Sequence, residues 1–219
     1  MGQRWSVQPR VSNQKVRRRN LKNFFWQFRV ILVGGSAVGK TSIVLRLTEG
    51  TFRENLQKTI GVDYYIHILE TTSTVRVKLQ VWDTAGGKEH RTITQSHLQT
   101  ILGGLLVFDL TNRQTLDYLR NWLDETGPVL DQDECIFILV GHKSDLSAER
   151  QISQEEAEQI AADLGLRYIE TSAKDGTNIH EAFLTLASTI AQAVKTEISS
   201  INSSPLPWTS LLRGTICIF

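Results

Sequence analysis

Residues 34–41 follow the spacing G-x-x-x-x-G-K-T. Glycines in such a loop let successive backbone N–H groups point at one phosphate group, and a helix that starts there adds its positive dipole end. The Lys40 side chain would then reach the β- and γ-phosphates of a nucleotide, and the Thr41 hydroxyl would bind Mg²⁺. The alternative is a glycine-rich turn that matches the pattern by chance. The predicted phosphate-binding residues are Gly34, Ser36, Ala37, Val38, Gly39, Lys40, Thr41 and Ser42.

The segments on both sides of this loop have the patterns that it requires. Residues 28–33 are a short apolar run rich in β-branched side chains, which predicts a buried strand. Residues 42–47 continue with helical spacing. A strand, a loop and a helix therefore follow one another, and this order favours the phosphate site over a chance match.

A second motif, Asp83-Thr84-Ala85-Gly86, directly follows the strand-like residues 75–82. A carboxylate at a strand end beside the phosphate loop can hold Mg²⁺ through water, and the N–H of Gly86 can reach a γ-phosphate. Alone, Asp-x-x-Gly is a common turn. Its place after a phosphate loop makes Asp83 a candidate for the metal site and Gly86 a candidate for the nucleotide site.

Two more motifs follow later strands and would recognise a base. The Asp145 carboxylate could accept hydrogen bonds from N1–H and the 2-amino group of guanine, which adenine does not supply, and Lys143 would lay its stem along the base. The alternative for this stretch is a solvated polar loop. The N–H of Ala173 would meet the guanine oxygen. The predicted base-binding residues are His142, Lys143, Asp145, Ser172, Ala173 and Lys174.

Strand-like and helical segments alternate along the chain. Two runs, 64–69 and 75–82, predict a hairpin whose second strand has one wet face, after an exposed polar loop at 48–59. Further strands are predicted at 104–108, 136–140 and 167–169, and helices at 114–130, 153–164 and 178–194, with a capping box at 153–156. This order predicts an α/β domain with a mostly parallel sheet, whose ligands bind at the carboxyl ends of the strands.

Length and cysteine usage limit the class of protein. A chain of 219 residues accommodates one α/β domain of about 170 residues with tails. Its two cysteines, Cys135 and Cys217, lie far apart, which favours a reducing compartment and argues against a disulfide framework or zinc site. The longest apolar run, 101–108, is too short to span a bilayer. We therefore expect a cytoplasmic protein, with peripheral binding to endomembranes as the alternative.

Charge is unevenly distributed. Residues 1–23 carry seven basic side chains and no acidic ones, whereas the rest of the chain holds the other 17 basic and all 23 acidic side chains. This arm lacks apolar periodicity and is predicted to be disordered. The first six residues fit the pattern for myristoylation of Gly2, and one lipid chain together with a basic patch would hold the protein on a membrane. A solvated arm, or a nuclear-import signal at 15–19, is the alternative.

Taken together, the motifs resemble those of the small GTPases of the Ras superfamily, and specifically the Rab family, over residues 24–195. Residues 60–64 and 78–86 resemble that family's own signatures. The resemblance implies a Ras-like domain with a six-stranded sheet and five helices, and a monomer that binds GTP or GDP with Mg²⁺ but not nucleic acid. Thr59 would join Thr41 and Asp83 at the metal and would support hydrolysis with Lys40.

The resemblance also implies partners and a cellular role. An exchange factor would load GTP, an activating protein would stimulate hydrolysis, and effectors would bind the ordered switch loops in vesicle traffic. The effector surface would contain Ile60 and the trio Tyr64, Trp82 and His97. In many Rabs the third member of this trio is a tyrosine. We therefore expect a different choice of effectors.

Three further departures from the family pattern change the expected chemistry. Gly87 stands where the family has the glutamine that orients the attacking water, so intrinsic hydrolysis should be slower by about tenfold to a hundredfold. His142 replaces an asparagine, and neutral imidazole offers one donor and one acceptor in partial compensation. Residues 215–219 do not fit a prenylation motif, and the tail from 196 is predicted to be flexible.

Three functions follow from these observations. The first is a slow GTPase that acts as a trafficking switch. The second is a persistently GTP-bound, non-hydrolysing scaffold, which Gly87 favours, whereas Lys40, Thr41, Thr59 and Asp83 favour the first. The third is another phosphotransferase such as a nucleoside kinase, for which the sequence offers neither a second substrate site nor a lid.

Overall fold

The computed structural model describes residues 10–11, 24–72, 75–87, 101–126 and 135–201. They form an α/β fold around one seven-stranded sheet. The strands are β1 (Arg10–Val11), β2 (Phe24–Val33), β3 (Val62–Thr72), β4 (Val75–Thr84), β5 (Gly103–Asp109), β6 (Ile136–His142) and β7 (Arg167–Thr171). The helices are α1 (Lys40–Glu49), α2 (Gln114–Thr126), α3 (Gln154–Asp163) and α4 (Ile179–Ile201), with a 3-10 turn at Ser147–Glu149.

The sheet has the strand order β1-β3-β4-β2-β5-β6-β7. Its neighbours are parallel except for the β3–β4 hairpin, which confirms the predicted α/β class and the predicted hairpin. The six strands expected from the sequence are present, and the described residues contain four α-helices and the 3-10 turn. A short additional strand, Arg10–Val11, pairs in parallel with β3 from within the segment that we predicted to be a disordered arm.

Alternation along β2 divides the core into two layers. Phe28, Val30 and Leu32 face one cluster, which includes Phe183 of α4. The odd-numbered neighbours face the other cluster, which includes Trp122 of α2. Because both faces of the central strands are covered, the carboxyl ends of the strands remain as the place where loops can form a site.

The β3–β4 hairpin has one buried and one partly solvated face. Val77, Leu79 and Val81 are fully buried. The residues that alternate with them, such as Arg76 and Lys78, are half-buried, as the pattern predicted. Both strands are longer than predicted. Strand β4 therefore carries Asp83 and Thr84 directly to the carboxyl edge of the sheet.

Two helix boundaries show where the sequence pattern was informative and where it failed. Ser153 caps α3 as predicted, with its Oγ accepting a hydrogen bond from the backbone N–H of Glu156 at 3.2 Å. Thr48, which we assigned to an exposed loop, instead lies in α1 and is buried. Its hydroxyl donates to the carbonyl of Val44 at 2.8 Å, so the polar group is satisfied inside the helix. Among the described residues, no helix combines the length and apolar character needed to cross a bilayer.

Candidate nucleotide site

Loops at the carboxyl ends of β2, β4, β6 and β7 surround one cavity of about 660 Å³. The predicted site and effector residues on its wall are Ser36, Ala37, Gly39, Lys40, Thr41, Ser42, Thr59, Ile60, Gly86, Gly87, His142, Lys143, Asp145, Ala173 and Lys174. The other predicted nucleotide and metal residues, Gly34, Val38, Asp83 and Ser172, are buried. The structure thus gathers motifs that are far apart in the sequence.

The phosphate loop curls around its own lysine. Lys40 Nζ donates to the carbonyl oxygens of Gly34 at 3.0 Å and Gly35 at 2.8 Å. Burial lowers the pKa of Lys40 to about 8, and the nearby Asp83 carboxylate acts in the opposite direction. No side chain caps α1 at Gly39, so the first N–H groups of the helix are available to a phosphate.

Two glycines allow backbone segments to approach closely around the loop. A Cβ atom at Gly34 would lie 2.2 Å from the carbonyl oxygen of Val107, and one at Gly86 would lie 2.3 Å from that of Gly35. Both distances are far below a normal contact, so any side chain there would push the segments apart. Gly86 therefore sits directly against the phosphate loop, as its predicted role requires.

The predicted metal ligands meet at one point beside Lys40. Thr41 Oγ1 donates to Asp83 Oδ2 at 2.6 Å, and the Thr59 hydroxyl donates to Thr41 Oγ1 at 3.0 Å. Asp83 Oδ1 is buried without a hydrogen-bond partner, and burial raises the pKa of this carboxyl to about 6. Two hydroxyls and a carboxylate with one unpaired buried oxygen are a set of hard oxygen donors that fits Mg²⁺.

His142 is buried, and its ring lies between the predicted base-binding residues and the phosphate loop. Its Nδ1 lies 2.8 Å from Thr171 Oγ1, and a Cβ atom at Gly39 would lie 2.5 Å from its ring. Burial, followed by the charge of Lys143, lowers the pKa of His142 to about 4. The imidazole is therefore neutral at pH 7, with one donor and one acceptor nitrogen.

The remaining base-side residues are held by protein partners. Lys143 Nζ donates to Asp109 Oδ2 at 2.5 Å, and this bond joins the loop after β6 to the last residue of β5. Asp145 Oδ1 accepts from Ser172 Oγ at 2.7 Å, and the same Ser172 oxygen accepts from the backbone N–H of Lys174 at 3.2 Å. The two predicted base motifs are thus bonded to each other.

Sequence reasoning missed three residues that hold this site. Asp109 and Thr171 both lie at the carboxyl ends of strands, which is a signal that could have marked them. Arg46 had no local signal, because its Nε donates to the carbonyl of Ala173 at 2.6 Å, 127 positions away in the sequence. Such a contact appears once the fold brings α1 and the loop after β7 together.

Of the predicted effector residues, Ile60 lies on the cavity wall, and Tyr64 and Trp82 lie on the neighbouring strands β3 and β4. Ile60 is 89% exposed, and the rings of Tyr64 and Trp82 pack edge to face with centroids 5.5 Å apart. His97 lies outside the described residues. Gly87 has φ 149°, a backbone conformation that residues with a side chain rarely adopt.

A second hollow, of about 720 Å³, lies along the outer side of α4 beside Arg167. Its wall consists mainly of uncharged side chains of α4, including Thr185, Ser188 and Thr189. None of the predicted site residues lines it. The chemistry therefore points to the smaller cavity at the strand ends as the functional site.

Comparison with known proteins agrees with this geometry. A model of the Ras family matches residues 29–192. Human Ras-related protein Rab-39A is 43% identical over 176 residues, which cover 78% of this chain and 81% of that protein. The Ras-related protein rab-39 of Caenorhabditis elegans is 40% identical over 197 residues, covering 87% and 83%, and human Ras-related protein Rab-8B is 37% identical over 183 residues, covering 84% and 87%. The chain therefore belongs to the Rab family of small GTPases, within the Ras family.

Proposed function

We propose that this protein binds GTP and GDP with Mg²⁺ and acts as a molecular switch in vesicle-mediated intracellular transport, with slow intrinsic GTP hydrolysis. Family membership supports a GTP-binding switch. The observation that carries the proposal is that Lys40, Thr41 and Thr59 line the same cavity as Asp145, with the buried Asp83 bonded to Thr41 behind the wall. A cavity with phosphate, metal and base groups in this order fits a guanine nucleotide.

On the phosphate side, the chain supplies positive charge and N–H donors. Lys40 exchanges its hydrogen bonds with the carbonyls of Gly34 and Gly35 for contacts with the β- and γ-phosphates. The start of α1 and the N–H of Gly86 complete the cradle. The backbone donors are positioned by the fold, whereas the Lys40 ammonium has to change partners.

Thr41 and Thr59 would hold Mg²⁺ directly, and Asp83 would hold it through water. The metal supplies charge neutralisation for the bound phosphates. Thr41 Oγ1 donates to Asp83 Oδ2 at 2.6 Å, which holds these two side chains next to each other at the predicted metal position.

On the base side, Asp145 accepts from N1–H and the 2-amino group of guanine, and the N–H of Ala173 donates to the 6-oxygen. His142 has only Nε2 left to interact with the nucleotide, since its Nδ1 lies 2.8 Å from Thr171 Oγ1. Adenine lacks the partners of Asp145, so its binding would leave a carboxylate unpaired. We expect guanine over adenine by a large factor.

Gly87 makes the hydrolytic step slow. Glycine has no side-chain amide that could orient an attacking water, and the φ of 149° at this position suits glycine. Turnover in the cell then depends on an activating protein that supplies the missing groups in trans. Exchange factors and effectors act through the switch residues, of which Ile60 is the most exposed large hydrophobic side chain in the described part of the chain.

Membrane attachment through a lipid at Gly2 and the basic side chains of residues 1–23 is part of the proposal. The described residues from 24 onwards would supply the nucleotide-dependent part. This division would place the switch peripherally on a membrane surface.

The test is to identify the nucleotide that co-purifies with the full-length protein and to follow loaded GTP in a single turnover. Bound GDP with slow hydrolysis supports the switch. Retained GTP that is not hydrolysed supports the second candidate, a persistently GTP-bound scaffold, which the missing side chain at Gly87 favours. Purification with an adenine nucleotide, or with none and no binding of added GDP, would contradict both.

A further inference from the structure

Arg46 of α1 reaches from the helix to the loop that follows β7. Its Nε donates to the carbonyl oxygen of Ala173 at 2.6 Å, and Nη2 donates to that of Lys174 at 2.5 Å. Its Nη1 donates to the carbonyl of Gly50 at 2.8 Å, where α1 ends. One half-buried guanidinium thus bonds three backbone carbonyls in two separate segments.

The loop after β7 also packs against the stem of the Arg46 side chain. Gly176, with φ 91°, lies over the Arg46 stem, where an added Cβ would be 3.9 Å from Cδ. The N–H of Gly176 donates to the carbonyl of Ser172 at 3.0 Å. The planar fork of arginine suits such a place, because its donors have fixed directions and its charge strengthens each bond to a carbonyl.

These bonds fix both peptide planes of Ala173. The N–H of Ala173 shares a rigid plane with the Ser172 carbonyl, which Gly176 holds. The next plane contains the Ala173 carbonyl, which Arg46 holds. Without Arg46 the second plane would be held only by the longer bond of 3.2 Å from the N–H of Lys174 to Ser172 Oγ, so the φ and ψ angles of Ala173 would be less firmly fixed.

We propose that Arg46 is a positioning residue for guanine: it aims the N–H of Ala173 at the 6-oxygen of the base and thereby slows GDP dissociation. Arg46 does not line the cavity, so it acts through Ala173 and not by touching the nucleotide. The inference rests on the proposed guanine-nucleotide binding and assigns a determinant of base specificity within it.

The experiment measures dissociation of GDP and of 6-thioguanosine diphosphate from the full-length protein. The thio analogue keeps N1–H and the 2-amino group but has a weakly accepting sulfur in place of the 6-oxygen. In Arg46→Ala we expect GDP to dissociate about tenfold faster, which corresponds to the loss of one good hydrogen bond from the Ala173 N–H to the 6-oxygen. The thio analogue, which gains little from the N–H of Ala173, should be affected by no more than about threefold.

Two further variants make the comparison interpretable. Arg76→Ala removes an arginine that pairs with Glu70 at 2.8 Å, at the end of β4 away from the cavity, and should leave both rates unchanged. Arg46→Lys keeps the charge but not the fork, so it should give an intermediate GDP rate. If Arg46→Ala does not fold, the ratio of the two rates in Arg46→Lys decides the question.

Equal acceleration of both nucleotides would show that Arg46 merely stabilises the fold, and it would overturn the inference. Unchanged dissociation in Arg46→Ala and Arg46→Lys would overturn it as well. Failure of the proposed function is distinguishable, because the unmodified protein would then not retain GDP at all.

Discussion

The two sides of the cavity are held in different ways. The fixed side, residues 34–41, 142–145 and 171–176, is tied by hydrogen bonds within the protein, such as Asp145 to Ser172 at 2.7 Å. The switch side, residues 51–61 and 83–87, includes a long stretch without regular secondary structure before β3. Ile60 in that stretch is 89% exposed. In the proposed function, recognition of the nucleotide and response to it would therefore belong to different parts of the chain.

The difference has a physical basis. A segment with few buried contacts gains little from any one conformation, so a ligand that binds it can change its shape. Thr59 is linked to the fixed side through its 3.0 Å contact with Thr41, and Gly61 accepts from the N–H of Ala85 at 2.9 Å. The first of these bonds lies at the predicted metal position. In the proposed function, the γ-phosphate and its metal would therefore act on the switch side through Thr59 while the base remains bound.

The largest effect is expected from breaking the fixed side at its lysine. Lys40→Ala removes the ammonium that is bonded to the carbonyls of Gly34 and Gly35 and that would move to the phosphates. We expect GDP affinity to fall by at least about a hundredfold, as for a buried charge-assisted contact. Titration calorimetry with GDP and Mg²⁺ measures this loss.

The control for this variant is Lys78→Ala on the half-buried face of β4, which should bind GDP as the unmodified protein does. Equal affinities of Lys40→Ala and Lys78→Ala would mean that the cavity does not bind phosphate through Lys40. The phosphate loop would then have to be a structural turn.

A change at Gly87 sharpens the comparison from the switch side. Gly87→Gln supplies an amide that can orient water, and we expect single-turnover GTP hydrolysis to rise by about tenfold to a hundredfold. The position has φ 149°, so any side chain also alters the backbone. Gly87→Ala isolates that backbone effect, because it adds a Cβ without an amide.

Two results would contradict this expectation. If Gly87→Ala accelerated hydrolysis as much as Gly87→Gln, the backbone and not the missing amide would limit the rate. If neither changed it, water positioning at this residue would not control turnover.

The fixed side was largely predictable from sequence, because its residues lie in short motifs at the ends of apolar strands. The spacing in residues 34–41 and the patterns on both sides predicted both the loop and its place between a strand and a helix. The contacts that brace these motifs were not predictable. Arg46 meets Ala173 across 127 positions, and the His142 ring meets Gly39 only through the packing of β6 beside the phosphate loop.

The switch side was less predictable, because polarity alone does not separate a loop from the end of a helix. We assigned Thr48 to the exposed loop, yet its bond to Val44 keeps it in α1. The chain leaves the helix at Gly50, which has φ 69° and whose N–H donates to the carbonyl of Arg46. A glycine C-cap was the better signal for the boundary than the run of polar residues.

His142 makes the stability of the fixed side depend on pH. Burial lowers its pKa from 6.5 to about 4. Between these values the unfolded chain binds more protons than the native one, so this residue's contribution to stability falls as the pH falls below 6.5. From pH 7.5 to 5, we expect the unmodified protein to lose roughly 2 kcal/mol more of its free energy of unfolding than His142→Asn does.

The measurement is chemical unfolding of both proteins at the two pH values, with the same saturating GDP and Mg²⁺. The charged groups that face the ring, Lys143, Asp109 and Asp145, are present in both proteins, so the comparison isolates the imidazole. Parallel losses in the two proteins would show that His142 takes up its proton without unfolding. The His142 ring would then be loosely packed between the base-binding residues and the phosphate loop.

The smallest effect concerns a strained point on the fixed side. Ala37 has φ 62°, a left-handed conformation that costs an alanine about 1 kcal/mol or more, whereas glycine adopts it freely. Ala37→Gly should therefore raise the free energy of unfolding by about 0.5–1 kcal/mol, net of the entropy that glycine loses on folding. Chemical unfolding at pH 7.5 measures it.

Ala162→Gly, at an exposed position in α3, is the matched control and should lower stability by a similar amount. If both variants lost stability equally, Ala37 would be unstrained, and the phosphate loop would accept a right-handed conformation there.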